Sequence, residues 1–254
     1  MRPAQASLAV ILRSRVYRES DKIVTFLTRD FGKLTGIAKG AKNSRRRFAN
    51  CLDPFTRVRV YFSSRPAAGL VFMESCDLLG PATAFAEPAK FAYASYLIEL
   101  VDQLTGEGHA VSEVYDLLAG ALSALEHGSA TAAFLRAFEL HLLQLAGYEP
   151  HCETCAGCHR PLADAARVFL DPLQGDFVCD PCRSAERSWL PLEGATIAAL
   201  GRLKQSALGE AAALRLPAPV AAEAAQVLAR LLALHVARPL KSVGLIASLT
   251  APRR

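Results

Sequence analysis

Four cysteines stand in two pairs, Cys155-x2-Cys158 and Cys179-x2-Cys182, with twenty residues between the pairs. Two residues between thiolates let one tight turn aim both sulfurs the same way, and two such turns face to face complete a tetrahedron. The spacing predicts a structural Zn2+ site, one ion per chain, closed by four sulfurs. Between the pairs, VFLDPLQGDFV reads as a hairpin with Asp171-Pro172 and Gly175 at its turn, which makes the whole segment a zinc ribbon. The decapeptide HCETCAGCHR, residues 151–160, adds Cys152, His151 and His159. Cys152-x2-Cys155 is itself a pair, so a ligand set drawing on Cys152, His151 or His159 stays open. The familiar spacing, and Gly157 in the turn before Cys158, favour 155/158.

Catalytic zinc keeps an open position, and four cysteines leave none. His151-x-Glu153 ahead of a C-x-x-C is similar to the zinc deaminase signature, but Val178 stands where that signature has proline. Cys179-Asp180-Pro181-Cys182 has the form of a redox dithiol without the βαβ unit that positions one. Walker, G-x-G-x-x-G and G-x-S-x-G motifs are absent. The chain therefore reads as a binding protein and not an enzyme. A zinc-dependent nucleic-acid-modifying enzyme is the alternative. Cys51 and Cys76, in apolar surroundings, read as small buried side chains.

A second chemistry is cationic. Residues 1–80 carry fifteen Lys/Arg against six Asp/Glu, a net +9, while the rest of the chain nets −4. Lys39, Lys42, Arg45, Arg46 and Arg47 crowd one connection, with Phe48 and Phe55 close behind, and Arg57, Arg59 and Tyr61 share one strand face. A cationic groove that follows phosphates, beside aromatics on which bases stack, is how single strands are bound. No feature suggests base-edge readout, so binding should tolerate sequence and weaken steeply with salt.

The elements that must position these groups follow from periodicity. SLAVILRSRVY, KIVTFLT, KLTGIAK, FTRVRVYF and GLVFMESC read as five strands, with Gly36 inside the third and a long connection, GAKNSRRRFANCLD, after it. Five strands with that connection match an OB-fold barrel, with an SH3-like barrel as competitor. From about residue 81 the period becomes helical, over 84–105, 111–126, 130–148, 194–210 and 219–241. The fold class expected is α+β multidomain: a five-stranded OB-fold barrel over 1–80, and an all-helical body over 81–150 and 191–254 that carries an inserted four-cysteine zinc ribbon over 151–190. With 52% hydrophobic residues the chain can bury a sizeable core. No stretch approaches the roughly 20 apolar residues of a membrane span, and nothing reads as a signal peptide. A soluble intracellular protein is expected.

Taken together the chain resembles the RecO family, bacterial recombination mediators of the RecF pathway. The resemblance is carried by Tyr17 to Val24 with Thr28 and Gly32, by Gly36 and Gly40, and by Leu52-Asp53-Pro54-Phe55. Further along it is carried by Phe134 to Leu140 with Leu143, Gly147-Tyr148-Glu149-Pro150, both cysteine pairs, and Arg238 to Ser242. It implies an OB-fold, a helical body and an inserted ribbon, and a non-enzymatic role. It implies binding of single- and double-stranded DNA, annealing of complementary strands, and help from RecR in letting RecA replace single-stranded-DNA-binding protein (SSB). It also implies that Cys152 is an extra thiol and that the zinc is structural. A cytoplasmic, nucleoid-associated protein follows. For the acidic C-terminal tail of SSB, the resemblance suggests Arg136 as a clamp on the terminal carboxylate.

Overall fold

The computed structural model describes residues 4–64, 69–80, 85–109, 111–128 and 130–250. The chain divides into two compact units, Met1–His127 with Leu240–Arg254, and Gly128–Pro239. The barrel and the first two helices belong to the first unit, to which the chain returns only at its end.

Five strands close a barrel: β1 (Gln5–Tyr17), β2 (Asp21–Thr28), β3 (Gly32–Ala38), β4 (Arg57–Ser64) and β5 (Val71–Gly80). They run in the order β1-β2-β3-β5-β4. All pairings are antiparallel except β3 with β5, which runs parallel from Gly36↔Val71 to Ala38↔Met73. That is the Greek-key closure of an OB-fold, not the SH3-like alternative. The alternation expected in β4 holds, with Val58, Val60 and Phe62 turned into a core that also takes Ala9, Ile11, Val24 and Phe26. Gly36 is needed where β3 meets β5. A Cβ there would lie 2.8 Å from Met73 Cγ and 3.0 Å from Val71 Cγ2, so a side chain would force the parallel pair apart.

The connection after β3 opens with a short 3-10 turn, Ala41–Asn43, and then plugs the barrel end with Phe48, Cys51 and Leu52. Outward residues of β1 and β2 such as Val10 and Leu27 are also buried, where α1 (Pro88–Leu104) and α2 (Ser112–His127) pack on the barrel. The last helix, α7 (Ser242–Thr250), lies along α1. Glu99 of α1 accepts hydrogen bonds from the Lys241 and Ser242 N–H groups at 2.9 Å each and from Ser242 Oγ at 2.5 Å. These satisfy orphan donors at the start of α7.

In the second unit, α3 (Ala132–Leu145) is buried almost all round among α4 (Gly194–Gln205), α5 (Leu208–Ala213) and α6 (Ala218–Ala233). It ends on Gly147 at φ 81°, with Tyr148 N–H donating to Leu143 O and Gly147 N–H to Gln144 O. This pair of bonds satisfies two of the helix's last carbonyls and turns the chain toward the ribbon. The expected hairpin is β6 (Arg167–Leu170) and β7 (Phe177–Cys179). Asp171 organises its turn by accepting from the N–H groups of Leu173 and Gln174.

Three elements differ from expectation, the first being the helix expected over 194–210, which breaks where Ser206 is extended, at ψ 139°, into α4 and α5. A third ribbon strand, β8 (Leu190–Glu193), pairs with the free side of β6. At four residues with a proline inside it gives no periodic signal, and Pro191 is tolerated because β8 is an edge strand. The helix expected over 219–241 stops at Ala233, and α7 is a separate helix beyond Pro239, which cannot continue a helical ladder.

Candidate nucleic-acid interface and thiolate centre

The basic residues are gathered by the way two turns are stitched together. The β1–β2 turn carries Arg18 in the left-handed region, at φ 58°. Lys42 N–H donates to Ser20 O at 3.0 Å, and Gly40 N–H, itself at φ 65°, donates to Asp21 Oδ1 at 2.9 Å. These bonds lock the connection after β3 against that turn. Ser44 Oγ then accepts from the N–H groups of Arg47 and Phe48 at 3.2 Å each, and Cys76 N–H donates to Arg47 O, so the arginine run is held by β5 as well. Lys39, Lys42, Arg45, Arg46 and Arg47 are all exposed. The stretches 18–22 and 39–53 together hold seven cations against three carboxylates. Of those carboxylates, Asp21 is taken up by the Gly40 backbone and Asp53 lies 3.9 Å from Lys22. Arg45 and Arg46 have no partner among the described residues. Sequence reasoning missed Arg18 and Lys22, which join this end of the barrel only through the turn contact.

The other expected groups behave differently. Phe48 is 3% and Phe55 7% exposed. Phe48 belongs to the barrel plug, and Phe55 packs edge-on against Phe85 and Phe91 at 5.4 and 5.5 Å. Neither can stack on a base, and the expectation that they would is corrected. On the β4 face, Arg57 is drawn to Glu126 at 2.7 Å, in a pair whose side chains are 24% and 11% exposed. Tyr61 donates its hydroxyl to Asp77 at 2.9 Å, which raises its pKa, and Arg59 stands opposite Asp77 in the ladder. On this face Arg57 and Tyr61 are engaged by carboxylates, while Arg59 is exposed and makes no ion pair among the described residues. Replacing Arg57 by alanine leaves Glu126 poorly solvated without its partner. The expected loss is about 1–3 kcal/mol of stability, read by thermal unfolding, with affinity for single-stranded DNA nearly unchanged.

Arg136 on α3 is 12% exposed, and its Nη2 lies 2.7 Å from Oε1 of the buried Glu139. A clamp on an external carboxylate at this position would have to share the guanidinium with Glu139 or displace it.

The four sulfurs of Cys155, Cys158, Cys179 and Cys182 lie within 4.8 Å of one another. Cys158 and Cys179 Sγ are 3.7 Å apart, close to the ~3.8 Å edge of a tetrahedron with Zn–S bonds of about 2.3 Å. A Cβ on Gly157 would stand 3.1 Å from Cys182 Sγ, so the first knuckle must pass close under the second. Burial acts to raise the Cys155 thiol, but N–H groups of Cys179, Cys158 and Gly157 directed at its sulfur overcome this and bring it down to about 6. Hydrogen bonds within the cluster push Cys182 up to about 12. Binding of a metal ion at such a site releases protons from its thiols. The donor set fits a soft, tetrahedral ion.

Cys152 lies outside the cluster. It is 1% exposed, and burial raises its thiol to about 11. His151 and His159 are exposed and outside it as well. Glu153, the carboxylate of the deaminase-like triplet, is given to Lys204 at 2.6 Å, beside Glu149 at 2.5 Å. That lysine braces the segment entering the ribbon against α4. Among the described residues no helix is long and apolar enough to cross a membrane.

Comparison with known proteins agrees with this anatomy. A family model for the N-terminal part of recombination protein O matches residues 1–82, and one for its C-terminal part matches residues 86–243. The chain is 39% identical over 233 residues to the DNA repair protein RecO of Anaeromyxobacter sp. (strain Fw109-5), covering 91% of each chain. It is 36% identical to that of Myxococcus xanthus (strain DK1622), over 94% of this chain and 95% of the other. It is 34% identical to that of Geobacter sulfurreducens, over 95% and 97%. A closed five-stranded barrel with a basic end, a helical body and a four-cysteine ribbon, matched over most of the chain in this way, place it in the RecO family of DNA repair proteins.

Proposed function

We propose that this protein acts in DNA repair as a recombination mediator and not as an enzyme. It binds single- and double-stranded DNA through the basic end of its barrel and anneals complementary strands. With RecR it helps RecA replace SSB on single-stranded DNA. The observation that carries the reading is the convergence of Arg18, Lys22, Lys39, Lys42 and Arg45 to Arg47 on one end of an OB-fold barrel, through the Lys42–Ser20 and Gly40–Asp21 bonds. Phosphate contacts of this kind carry no sequence information, which suits a protein that must act wherever a strand is exposed.

The four-cysteine centre takes Zn2+ and supplies folding energy to the ribbon. The closed sulfur set leaves no position for a reacting water, and Glu153 is held by Lys204, which weighs against the reading as a zinc-dependent nucleic-acid-modifying enzyme. The SSB tail is a further partner. Arg136 meets it by sharing its guanidinium with Glu139 or by exchanging Glu139 for the tail's carboxylate.

Strand annealing by the purified full chain tests this function. Complementary oligonucleotides, bare or coated with SSB, should anneal faster with the protein than without it, and the acceleration should fall steeply as salt rises. Annealing that is no faster than the spontaneous reaction at every salt concentration removes the proposal.

A further inference from the structure

The basic end of the barrel carries a carboxylate where charge alone would exclude one. Asp21 belongs to the two stretches that gather seven cations, and its neighbour in the chain is Lys22. A negative charge in that company repels phosphate and weakens any hold on DNA. The strand ladder shows what it does instead. Pairing of β2 with β3 ends at Lys22↔Ala38. Asp21 lies one residue beyond that end, and its Oδ1 accepts the N–H of Gly40, two residues beyond Ala38, at 2.9 Å. The side chain thus extends the pairing past the last backbone rung. Gly40 presents its N–H from the left-handed region, at φ 65°.

The near half of the connection, residues 39–47, has little apolar anchoring. Ala41 is its one buried residue, and the plug of Phe48, Cys51 and Leu52 begins only after it. Its shape rests on hydrogen bonds. Lys42 N–H reaches Ser20 O at 3.0 Å, and Arg47 Nη2 donates back to Lys39 O at 2.9 Å. Of the bonds that tie 39–47 to the β1–β2 turn among the described residues, the one from Gly40 is the one accepted by a side chain. A segment held by few bonds opens locally, and a loop that must be ordered on contact binds less tightly. Loss of the Asp21 side chain therefore has two effects of opposite sign. Repulsion is relieved, which is worth about twofold in affinity for one unit charge in water at low salt. The shape that holds Lys39 to Arg47 together is loosened.

We propose that Asp21 is a positioning residue for DNA binding, acting through the Gly40 N–H and meeting no phosphate itself. It keeps the connection in the form in which the cations of 39–47 face a strand together. The proposal rests on the DNA-binding reading above and adds what holds the basic end in shape before DNA arrives. It also accounts for Gly40. A Cβ there would meet nothing closer than Arg47 Nη2 at 3.7 Å, so space does not call for glycine. The left-handed backbone that presents the N–H to Asp21 does.

The test is binding of a fluorescent oligothymidylate by the full chain across a salt series, with Asp21→Ala and Asp21→Asn beside the parent. Asparagine keeps an acceptor oxygen and removes the charge, whereas alanine removes both. Asp21→Ala should lower affinity about fivefold at every salt concentration, although it takes away a negative charge, and the salt slope should stay unchanged because no cation is lost. Asp21→Asn should bind at least as tightly as the parent, and up to about twofold tighter at low salt. Hydrogen exchange should rise across 39–47 in Asp21→Ala and not in Asp21→Asn, with β1 to β3 as protected as in the parent. Affinity in Asp21→Ala equal to or above that of the parent overturns the proposal and leaves a tolerated negative charge. Equal losses in both variants overturn it too, because the acceptor oxygen then carries nothing. Protection lost throughout the barrel in Asp21→Ala means a support of the whole fold and not of the connection, and has the same consequence. In all three cases DNA binding by the parent still stands. If the parent fails to bind the strand at any salt concentration, the DNA-binding reading itself falls, and this proposal with it.

Discussion

Replacing Arg45, Arg46 and Arg47 together by alanine is expected to lower affinity for single-stranded DNA on the order of a hundredfold at about 50 mM salt, with the difference closing as salt rises. Each arginine that meets a phosphate releases condensed counterions, so three lost contacts should flatten the slope of log K against log salt by about 2 for a single strand. The fold should survive. The run is exposed, and what anchors the connection is the buried Phe48, Cys51 and Leu52 together with backbone bonds to Ser20 and from Cys76. Alanine at 45 to 47 leaves every one of those in place. Fluorescence anisotropy over a salt series gives both slope and intercept, and circular dichroism controls for folding. An unchanged slope means that the run faces solvent and not DNA. The pattern is the reverse of that expected for Arg57→Ala, which should cost stability and spare binding, because Arg57 is occupied by Glu126.

The second large effect is at the ribbon. Cys179→Ser is expected to abolish stoichiometric zinc binding and to unfold the ribbon locally. Closed zinc sites supply apparent free energies of about 10–16 kcal/mol in small domains, far more than three short strands gain from their own pairing. Hydrogen exchange should rise sharply across 152–193, where β6, β7 and β8 hang on the two knuckles, and in α4, which packs on β6 and β8. Chelation of the parent protein should give the same pattern. X-ray absorption of the parent should show sulfur-only coordination. Retained metal with an unaltered exchange pattern would contradict the ligand set of Cys155, Cys158, Cys179 and Cys182. Single-strand binding should persist in Cys179→Ser, because the basic end belongs to the other compact unit.

Those two experiments separate the parts of the protein that its amino-acid order announces from the parts it conceals. Chemistry confined to a few residues was legible. The two C-x2-C pairs carry their own geometry, since the spacing alone turns the sulfurs inward, and they form the one four-sulfur cluster found among the described residues. The arginine run is exposed for an equally local reason, three adjacent long cations in a connection between strands. The strands themselves were marked by period-two patterns within each segment, and the long connection after the third pointed to the barrel.

What the chain order could not show depends on partners far away along it. Phe48 and Phe55 read as stacking aromatics until packing placed one in the barrel plug and the other against Phe85 and Phe91. The pairing of Arg57 with Glu126, 69 residues later, likewise exists only in the fold. Strand β8 gains its hydrogen bonds from β6 and has no pattern of its own. Spacing within a turn and alternation along a strand are local, so the metal ligands, the basic run and the strands could be read directly from residue order. Burial, ion pairing and register arise when the barrel closes and the helices pack, so the choice of which cations are left to meet DNA belongs to the folded molecule.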